Sequence, residues 1–300
     1  MTAVDPVSDR RLDHRASLTA QINAAQRAAE SMQPRRLLDD PASRHFVSHP
    51  AVRALLAHRL PAAAALRIFD RWWGGLHAHI VLRVRFTDDV VDAAIRAGVD
   101  QVVLLGAGFD TTSLRRADTP VTIFEVDAPA TQAAKRPVTE RLCPSPRASQ
   151  TVWMPCDFED GALRTRLLDS GFDPARRSVI VWLGVSMYLT GHAIDQTLAD
   201  LAALCAPGSR LVFDYLDADV VAGRSRWASA RRVTRMVARR GEPYRSGFTA
   251  PGVAELLGAH GFTRRDHASV TDLLRRYDPT GARGLASDDW LGIVCAERLS

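Results

Sequence analysis

Two glycines and an acid in the segment from Gln101 to Asp127 have the types and spacing of a nucleoside-binding site. One apolar run ends at Gly106-Ala107-Gly108, and a second apolar run ends at Asp127. This pattern predicts a strand, a glycine turn, a short helix and a second strand that ends in a carboxylate. Glycines let the backbone approach a ligand, and the acid accepts a hydrogen bond from a ribose hydroxyl. The segment therefore predicts a nucleoside cofactor on a parallel sheet.

The residues after the turn bear on which nucleoside is bound. A dinucleotide fingerprint would have a third glycine at position 111, where this chain has Thr111. The GxxxxGK[ST] pattern of a P-loop does not occur in the sequence. A carboxylate roughly 20 residues past the turn is shared by nicotinamide and S-adenosylmethionine sites. Because only a pyrophosphate needs the third glycine, Thr111 favours S-adenosylmethionine, with NAD(P) kept as the alternative.

Further candidate residues follow the next strands, at the edge where open α/β sheets bind ligands. Asp157-Phe158 comes after the third predicted strand. A carboxylate there can accept from an adenine amino group, and the next backbone N–H can donate to a ring nitrogen. Leu183-Gly184 ends the fourth strand, and a glycine at that point lets a ligand lie close to the backbone.

The elements that position these residues alternate between strand and helix from Gln101 onward, which is typical of a mostly parallel sheet. The first five predicted strands and their intervening helices precede an arginine-rich insert, and two further strands follow it. The predicted strands are Gln101–Leu105, Val121–Val126, Thr151–Pro155, Ser178–Leu183, Arg210–Tyr215, one starting near Phe262, and Leu291–Glu297. The predicted helices of this part are Ala128–Leu142, Asp160–Ser170, His192–Ala206 and Pro251–His260.

The whole chain is predicted to form one α/β domain over residues 1–300. Its parts are a helical amino-terminal cap (1–100), a βα core (101–216), a helical lid insert (217–250) and carboxyl-terminal strands (251–300). In the cap, helices are expected over Ser17–Ser31, from Ala51, and as a pair within Arg67–Ala97. The expected sheet has seven strands.

Composition narrows the class of protein further. The chain has 300 residues, 46% of them hydrophobic, and no apolar run of the roughly 18 residues that a membrane span needs. The amino terminus lacks the apolar core of a secretion signal, and the four cysteines are widely spaced, so a cytoplasmic protein with reduced thiols is expected. No metal-ligand spacing is present, so no metal is predicted.

A net charge of +5 raises the question of a polyanionic partner. All basic residues except Lys135 are arginines, and the densest run, Arg224–Arg240, is predicted to be an amphipathic helix. Its arginines are interpreted as a solvated face, with a surface for an acidic group as the alternative. The fourth strand is not followed by the Asn/Asp-Pro-Pro-aromatic pattern of nucleic-acid amino methyltransferases, so no nucleic-acid partner is expected. Because the sequence has no apolar run long enough to span a membrane, no membrane partner is expected either.

Several blocks of sequence, in order along the chain, resemble the leucine carboxyl methyltransferase-like family, a class I S-adenosylmethionine-dependent group abundant in actinobacteria. The resemblance covers most of the chain from about Ser17, and it implies a Rossmann-like fold that binds S-adenosyl-L-methionine. Its blocks are SLTAQINAAQRAAES (17–31), RRLLDDPASRHFV (35–47), LRVRFTDD (82–89), GAGFDTTSLR (106–115), FEVD (124–127), CDFED (156–160) and WLGVSMYL (182–189).

The resemblance also implies roles for single residues. Arg83 matches the arginine that pairs with the methionine carboxylate, for which a planar bidentate donor is suited. The turn Gly106-Ala107-Gly108 would pass beneath the methionine and ribose. Asp127 matches the ribose acid, and Asp157 with Phe158 matches the adenine contacts. Many members have Ala-Glu-Gly where this chain has Trp182-Leu183-Gly184, so a backbone carbonyl of Leu183 or Gly184 would replace that glutamate in holding the cofactor's ammonium group.

The sequence does not single out a catalytic group. A carboxylate acceptor needs no base, whereas an alcohol or phenol needs one. Candidate bases are Tyr188, Asp214 and Tyr215, together with His77 and His79.

The predicted activity is O-methylation of a carboxylate or hydroxyl on a small molecule of secondary metabolism. The alternatives are methylation of a protein's terminal carboxylate, an NAD(P)-dependent oxidoreductase and a non-catalytic protein that keeps the fold. A homodimer is left open.

Overall fold

Seven strands form one sheet in the computed structural model, which describes residues 18–143, 147–286 and 288–299. Their order across the sheet is β3-β2-β1-β4-β5-β7-β6, and β7 runs antiparallel to both of its neighbours. The strands are β1 (Gln101–Leu105), β2 (Thr122–Asp127), β3 (Gln150–Pro155), β4 (Ser178–Trp182), β5 (Arg210–Leu216), β6 (Phe262–Ser269) and β7 (Leu291–Arg298).

The central strands explain why the apolar runs of the sequence form a sheet here. Every residue of β1 and of β4 is buried, because each strand lies between two parallel neighbours and has helices on both faces. Gln101 pairs with Thr122 on one side and with Ser178 on the other. This register brings the carboxyl ends of β1, β2 and β4 to one edge of the sheet.

Twelve helices of the described residues surround the sheet. Gly74 and Gly75 have φ of 46° and 82° and separate the third helix from the fourth. The helices are α1 (Leu18–Ser31), α2 (Pro50–Leu55), α3 (Arg59–Trp73), α4 (Leu76–Arg96), α5 (Thr112–Arg115), α6 (Pro129–Leu142), α7 (Leu163–Asp169), α8 (Gly191–Leu204), α9 (Ala218–Val221), α10 (Ala228–Arg239), α11 (Ala250–Ala259) and α12 (Val270–Tyr277), with 3-10 turns at Pro41–Phe46 and Ser186–Tyr188.

The helices form two layers. One face of the sheet packs on α7, α8 and α11 around Trp182 and Phe213. The other face packs on α4, α10 and α12 around Val212 and Ile293. Helix α4 crosses this second face over β4, β5 and β7, and α1 and α3 contact its outer side. Helix α4 is therefore the element that can carry side chains of the amino-terminal part to the end of β4.

The sequence predictions agree with this structure in most elements. All seven strands are confirmed, and their ends differ from the predicted ones by one residue at most. The predicted helices are confirmed except in extent. The one expected from Asp160 begins at Leu163, and the one expected from Ala51 is the six-residue α2. The pair expected within Arg67–Ala97 begins earlier, at Arg59, and the helix expected over Arg224–Arg240 begins later, at Ala228. Residue 17 lies outside the described residues. Helix α12 was not predicted. None of the helices that the described residues form is long and apolar enough to cross a membrane.

Buried ion pairs join the amino-terminal helices to the glycine turn. Arg27 of α1 donates from Nη2 to the carbonyl oxygen of Phe109 at 2.6 Å and from Nε to Asp40 Oδ2 at 2.8 Å. Arg115 of α5 lies 3.7 Å from the same oxygen of Asp40. Arg27 and Asp40 are 5% and 0% exposed, so these charges are stable only as pairs. The network fixes α1 against the loop that follows β1.

Asp110 lies among these cations, in the loop between the glycine turn and α5. Its Oδ1 accepts from the Thr112 N–H at 2.6 Å. Burial acts to raise the pKa of Asp110, but Arg115, Lys135 and Arg27 outweigh it and lower this pKa to about 2. A carboxyl whose pKa is lower in the folded than in the unfolded chain stabilises the folded state wherever it is ionised.

We predict that Asp110→Asn lowers the free energy of unfolding at pH 7 by about 1–2 kcal/mol, given a partly buried site and a shift of this size. The contribution is present above the unfolded pKa near 3.8 and is lost as the pH falls through about 2. The difference between the two proteins in urea unfolding should therefore shrink between pH 5 and pH 3. Asp118→Asn, at an exposed position, is the control. A difference that is constant with pH would contradict the assignment.

Candidate cofactor and acceptor site

The turn after β1 has a backbone that favours glycine at two positions. Gly106 and Gly108 have φ of 64° and 48°, in the left-handed region that a Cβ disfavours. A Cβ on Gly106 would also collide with Val185, in the segment after β4. The Ala107 N–H donates to the carbonyl of Val126 in β2 at 3.0 Å. The turn therefore lies between the ends of β2 and β4, with its backbone close to both.

Asp127 is the last residue of β2 and directly adjoins the turn. Its Oδ2 accepts from the Gly108 N–H, and its Oδ1 accepts from the Ala128 N–H at 2.6 Å. Burial raises the pKa of Asp127, and these two hydrogen bonds together with Lys135 oppose the rise only in part. Each carboxylate oxygen can accept two hydrogen bonds. Asp127 thus retains acceptor sites for two hydroxyl groups next to the turn.

Asp157 and Phe158 follow β3, the neighbour of β2. Asp157 is exposed, and its Oδ1 accepts from the Glu159 N–H at 2.9 Å. Because α7 begins only at Leu163, Asp157 stabilises its own turn and does not cap that helix. Phe158 packs against the hydrophobic core on the α7 side of the sheet. The pair is therefore one strand further from the centre of the sheet than Asp127, at the same edge.

Arg83 and Asp214 form a buried ion pair at the end of β4. Arg83 Nη1 lies 2.7 Å from Asp214 Oδ2, and the two side chains are 9% and 0% exposed. The Gly184 N–H donates to Asp214 Oδ1 at 2.6 Å. Burial acts to raise the pKa of Asp214, but Arg83, His79 and the Gly184 N–H outweigh it and lower this pKa. Asp214 is therefore an ionised carboxylate that holds an arginine in place.

The guanidinium of Arg83 lies directly over Gly184. A Cβ on Gly184, whose φ is 71°, would be 3.0 Å from Arg83 Nη1 and 3.1 Å from Nη2. The Nε atom of Arg83 is buried and has no hydrogen-bond partner among the described residues. The Leu183 side chain packs into the apolar core. Arg83 thus has guanidinium N–H donors that Asp214 does not engage, next to the backbone of Gly184, which has no side chain.

His79 lies one turn before Arg83 on α4 and contacts the same carboxylate. Its Nε2 is 3.2 Å from Asp214 Oδ2, and the residue is 1% exposed. Burial lowers the pKa of His79, and the charge on Arg83 adds to this, although Asp214 acts in the opposite direction. A neutral ring that donates from Nε2 has an unprotonated Nδ1, and this atom is buried without a partner among the described residues.

Two tyrosines lie close to this ion pair. Tyr188 is the last residue of the 3-10 turn after β4, and its ring centroid is 5.5 Å from that of Tyr244, which follows α10. Burial raises the pKa of Tyr188, and the negative charge of Glu242 acts in the same direction. Glu242 in turn accepts from Thr19 of α1 at 2.6 Å, so the lid insert and α1 meet over Tyr188.

The structure does not bring the remaining candidate residues into this group. Tyr215 points to the other face of β5 from Asp214, as strand alternation requires, and its hydroxyl lies 2.8 Å from His267 Nε2. His77 is buried between Gln26 and Glu30, whose contacts to its ring nitrogens are 2.7 Å and 3.2 Å. Within the described residues, no cluster of three or more histidine, cysteine, aspartate or glutamate side chains could hold a metal ion.

The sequence had not indicated Tyr244, Glu242, Arg27 or Asp40 as part of the site or its support. Arg27 carries a weak signal, since it is a charged residue among the alanines of the buried face of α1. Tyr244 carries none, because it lies outside the regular elements of the lid insert.

Known proteins match this sequence over a limited part of their own length. A protein of Parafrankia sp. named as a candidate S-adenosyl-L-methionine-dependent methyltransferase is 35% identical over 202 residues, which are 65% of this chain and 62% of that protein. A Bacillus subtilis protein with the same description is 30% identical over 64% of this chain and 63% of its own length. The chain thus spans less than two thirds of these relatives.

Solved structures and family models give two further matches. A DUF574 family protein from Streptomyces avermitilis has a TM-score of 0.62 at 17% identity, with 96% of this chain and 100% of that chain covered. At that identity the match concerns the fold alone. The model of the family described as "Leucine carboxyl methyltransferase" matches residues 20–202, more than half of the chain. The chain therefore belongs to the leucine carboxyl methyltransferase family.

Proposed function

We propose that this protein is an S-adenosyl-L-methionine-dependent methyltransferase that methylates a carboxylate of a small molecule, such as a secondary metabolite. The observation that carries the proposal is the order of functional groups along one edge of the sheet. Asp157 at β3, Asp127 at β2, the glycine turn at β1 and Arg83 over Gly184 at β4 follow one another in space. Adenine, ribose and methionine follow one another in the same order in the cofactor. The names of the relatives support the same activity.

Asp214 organises the methionine end of this site in two ways. It holds Arg83 by Nη1, which leaves the other guanidinium donors for the cofactor's carboxylate. It also accepts from the Gly184 N–H, and in a planar trans peptide the carbonyl of Leu183 then points the opposite way. That carbonyl is an acceptor for the cofactor's ammonium group, in place of the glutamate that Leu183 replaces.

The chemistry of the neighbouring side chains favours a carboxylate as the methyl acceptor. In the transfer, the bond from the sulfonium sulfur to the methyl carbon breaks as a bond from the acceptor oxygen to that carbon forms. A carboxylate loses no proton in this step, so alignment and exclusion of water are sufficient. Tyr188 and Tyr244 both have raised pKa values owing to burial and remain protonated donors near neutral pH. Three contacts already engage Asp214: Arg83 and His79 at Oδ2, and the Gly184 N–H at Oδ1.

A hydroxyl acceptor is the second candidate, and one observation favours it. His79 is oriented by Asp214, and its Nδ1 has no partner among the described residues. An imidazole that is held by a carboxylate can take the proton of an alcohol as the methyl group is transferred. In this mechanism the proton of the acceptor hydroxyl is transferred to His79 Nδ1.

The cover over the site favours a small acceptor over a polypeptide. Tyr244 packs on Tyr188, and Glu242 binds Thr19, so the lid insert meets α1 above the end of β4. The net charge of +5 would attract an anionic acceptor. The cysteines of the described residues are free thiols, which supports the proposal of a cytoplasmic location.

The cofactor assignment predicts that Asp127→Ala weakens binding of S-adenosylhomocysteine by about 1–3 kcal/mol, through lost hydrogen bonds to the ribose. Titration calorimetry with the two proteins measures this difference directly. Asp118→Ala, an exposed acid in the same βα unit, should bind like the parent. If the parent bound no S-adenosylhomocysteine but bound a nicotinamide cofactor, the function proposed here would be wrong. If Asp127→Ala bound like the parent, the ribose assignment alone would be wrong.

The role of Asp214 predicts a loss that depends on the ligand's carboxylate. Asp214→Asn keeps an acceptor for Gly184 but no longer pairs with Arg83, so we expect S-adenosylhomocysteine to bind about 10- to 100-fold more weakly. Decarboxylated S-adenosylhomocysteine should bind the variant and the parent alike. Asp219→Asn, in an exposed ion pair with Arg224, is the matched control. Equal losses for both ligands would show that Asp214 supports the fold and does not position Arg83.

The acceptor class predicts the chemistry of the product. With cofactor labelled in its methyl group and a panel of carboxylic acids and matching alcohols, the labelled product should be a methyl ester, which mild alkali hydrolyses to volatile methanol. His79→Gln should then keep kcat within a few-fold, since no base is needed, whereas a general base contributes about 100-fold or more. An alkali-stable product together with a loss of that size in His79→Gln would establish the hydroxyl candidate instead.

A further inference from the structure

An exposed apolar stripe runs along the outer side of α3. Among the described residues, four of the seven large hydrophobic side chains that remain exposed lie between positions 55 and 72. Leu60, Ile68 and Trp72 of α3 are 82%, 62% and 61% exposed, and Leu55 is 41% exposed. Leu60, Ala64, Ile68 and Trp72 follow one another at intervals of four residues and so lie on one side of the helix.

The fold does not need this stripe. Helix α3 packs on the rest of the protein through its opposite side, where Ala62, Leu66 and Asp70 are buried. The exposed side chains of Leu60, Ile68 and Trp72 project from the side of α3 that faces away from this packing. Contiguous exposed apolar surface of this kind marks a site of interaction.

Arginines flank the stripe on both sides. Arg59, Arg67 and Arg71 of α3 are exposed. Helix α10 packs beside α3, and the Arg232 guanidinium lies 5.9 Å from the centre of the Trp72 ring. Arg231, Arg235 and Arg239 of α10 are also exposed.

Helices α3 and α10 carry no exposed acid. Asp70, in α3, is buried, and α10 contains no acidic residue. Asp288, beyond the end of α3, accepts from Ser229 at 2.5 Å. The surface of α3 and α10 is thus apolar at its centre and cationic at its margins.

We propose that the α3–α10 surface binds the interface of an anionic lipid membrane. A helix with tryptophan, leucine and isoleucine on one side and arginines at its margins can insert the apolar side chains at the level of the headgroups, while the arginines contact lipid phosphates. A second copy of the chain would bring the same arginines together and repel. A protein partner would need a groove of its own to receive the protruding side chains. Opposite charge on a partner would not by itself provide such a groove.

This proposal concerns a protein that lies on a membrane, and it departs from the expectation of no membrane partner. That expectation rested on the lack of an apolar span, which does not bear on surface binding. The proposal also gives a role to the arginine-rich run Arg224–Arg240, for which a surface for an acidic group was the alternative interpretation. It does not depend on the methyl acceptor.

The test is sedimentation of the full chain with sucrose-loaded vesicles. The parent should bind vesicles of phosphatidylcholine mixed with phosphatidylglycerol, and binding should fall about tenfold or more with phosphatidylcholine alone. The triple variant L60S/I68S/W72S and the triple variant R67Q/R71Q/R235Q should each lose binding to a similar extent. Leu168→Ser, which changes an exposed leucine on α7, is the control and should bind like the parent.

A second readout shows which surface contacts the lipid. Vesicles with brominated acyl chains should quench tryptophan fluorescence in the parent, and Trp72→Phe should remove most of that quenching while binding persists. Equal binding of the parent to both vesicle types, or none to either, would overturn the proposal. A parent that ignores vesicles and elutes as a dimer, which L60S/I68S/W72S converts to a monomer, would show that a second copy covers the surface.

Discussion

The burial of the Asp214 carboxylate at the end of β5 is the constraint on which the site depends. A fully buried carboxylate is stable only when charges and hydrogen-bond donors surround it. Arg83, His79 and the Gly184 N–H supply them, from α4 and from the end of β4. The same contacts determine where the arginine lies, which way the peptide after Leu183 is turned and which ring nitrogen of His79 remains free.

A second set of buried charges fixes the amino-terminal helices against the glycine turn. Arg27 binds both Asp40 and the carbonyl of Phe109, so α1 is attached to the loop that follows the glycine turn. Glu30 binds His77 and, at 2.5 Å, Arg283 from the segment between α12 and β7. The amino-terminal helices are therefore connected to the βα part through ion pairs as well as through apolar packing. Movement of α1 would disturb the turn and the cover over Tyr188 together.

Local patterns in the sequence were sufficient for the strands and for the glycine turn. The apolar runs that end at Leu105, Val126 and Trp182 belong to buried parallel strands. Such strands are apolar along almost their whole length, so they can be recognised from the sequence without knowledge of their neighbours. Helix α12 was missed because it has only eight residues, although Ser269 and Asp272 form a capping box at its start.

Contacts between distant residues could not be predicted in this way. Arg83 and Asp214 are 131 positions apart, and no periodicity relates them. Tyr215 shows the converse case. The predicted strand Arg210–Tyr215 already places Asp214 and Tyr215 on opposite faces, so alternation along the strand separates Tyr215 from the group around Asp214. The role of Arg83 came from resemblance to a family, and the structure adds the carboxylate that holds it.

We propose that the methyl donor lies along the edge formed by β3, β2, β1 and β4. A crystal structure of the protein with S-adenosylhomocysteine tests it most directly. We expect the ribose hydroxyls at Asp127, the methionine carboxylate at the free donors of Arg83, and the ammonium group at the carbonyl of Leu183. A ligand whose carboxylate lies away from Arg83, or whose ribose does not contact Asp127, would contradict it.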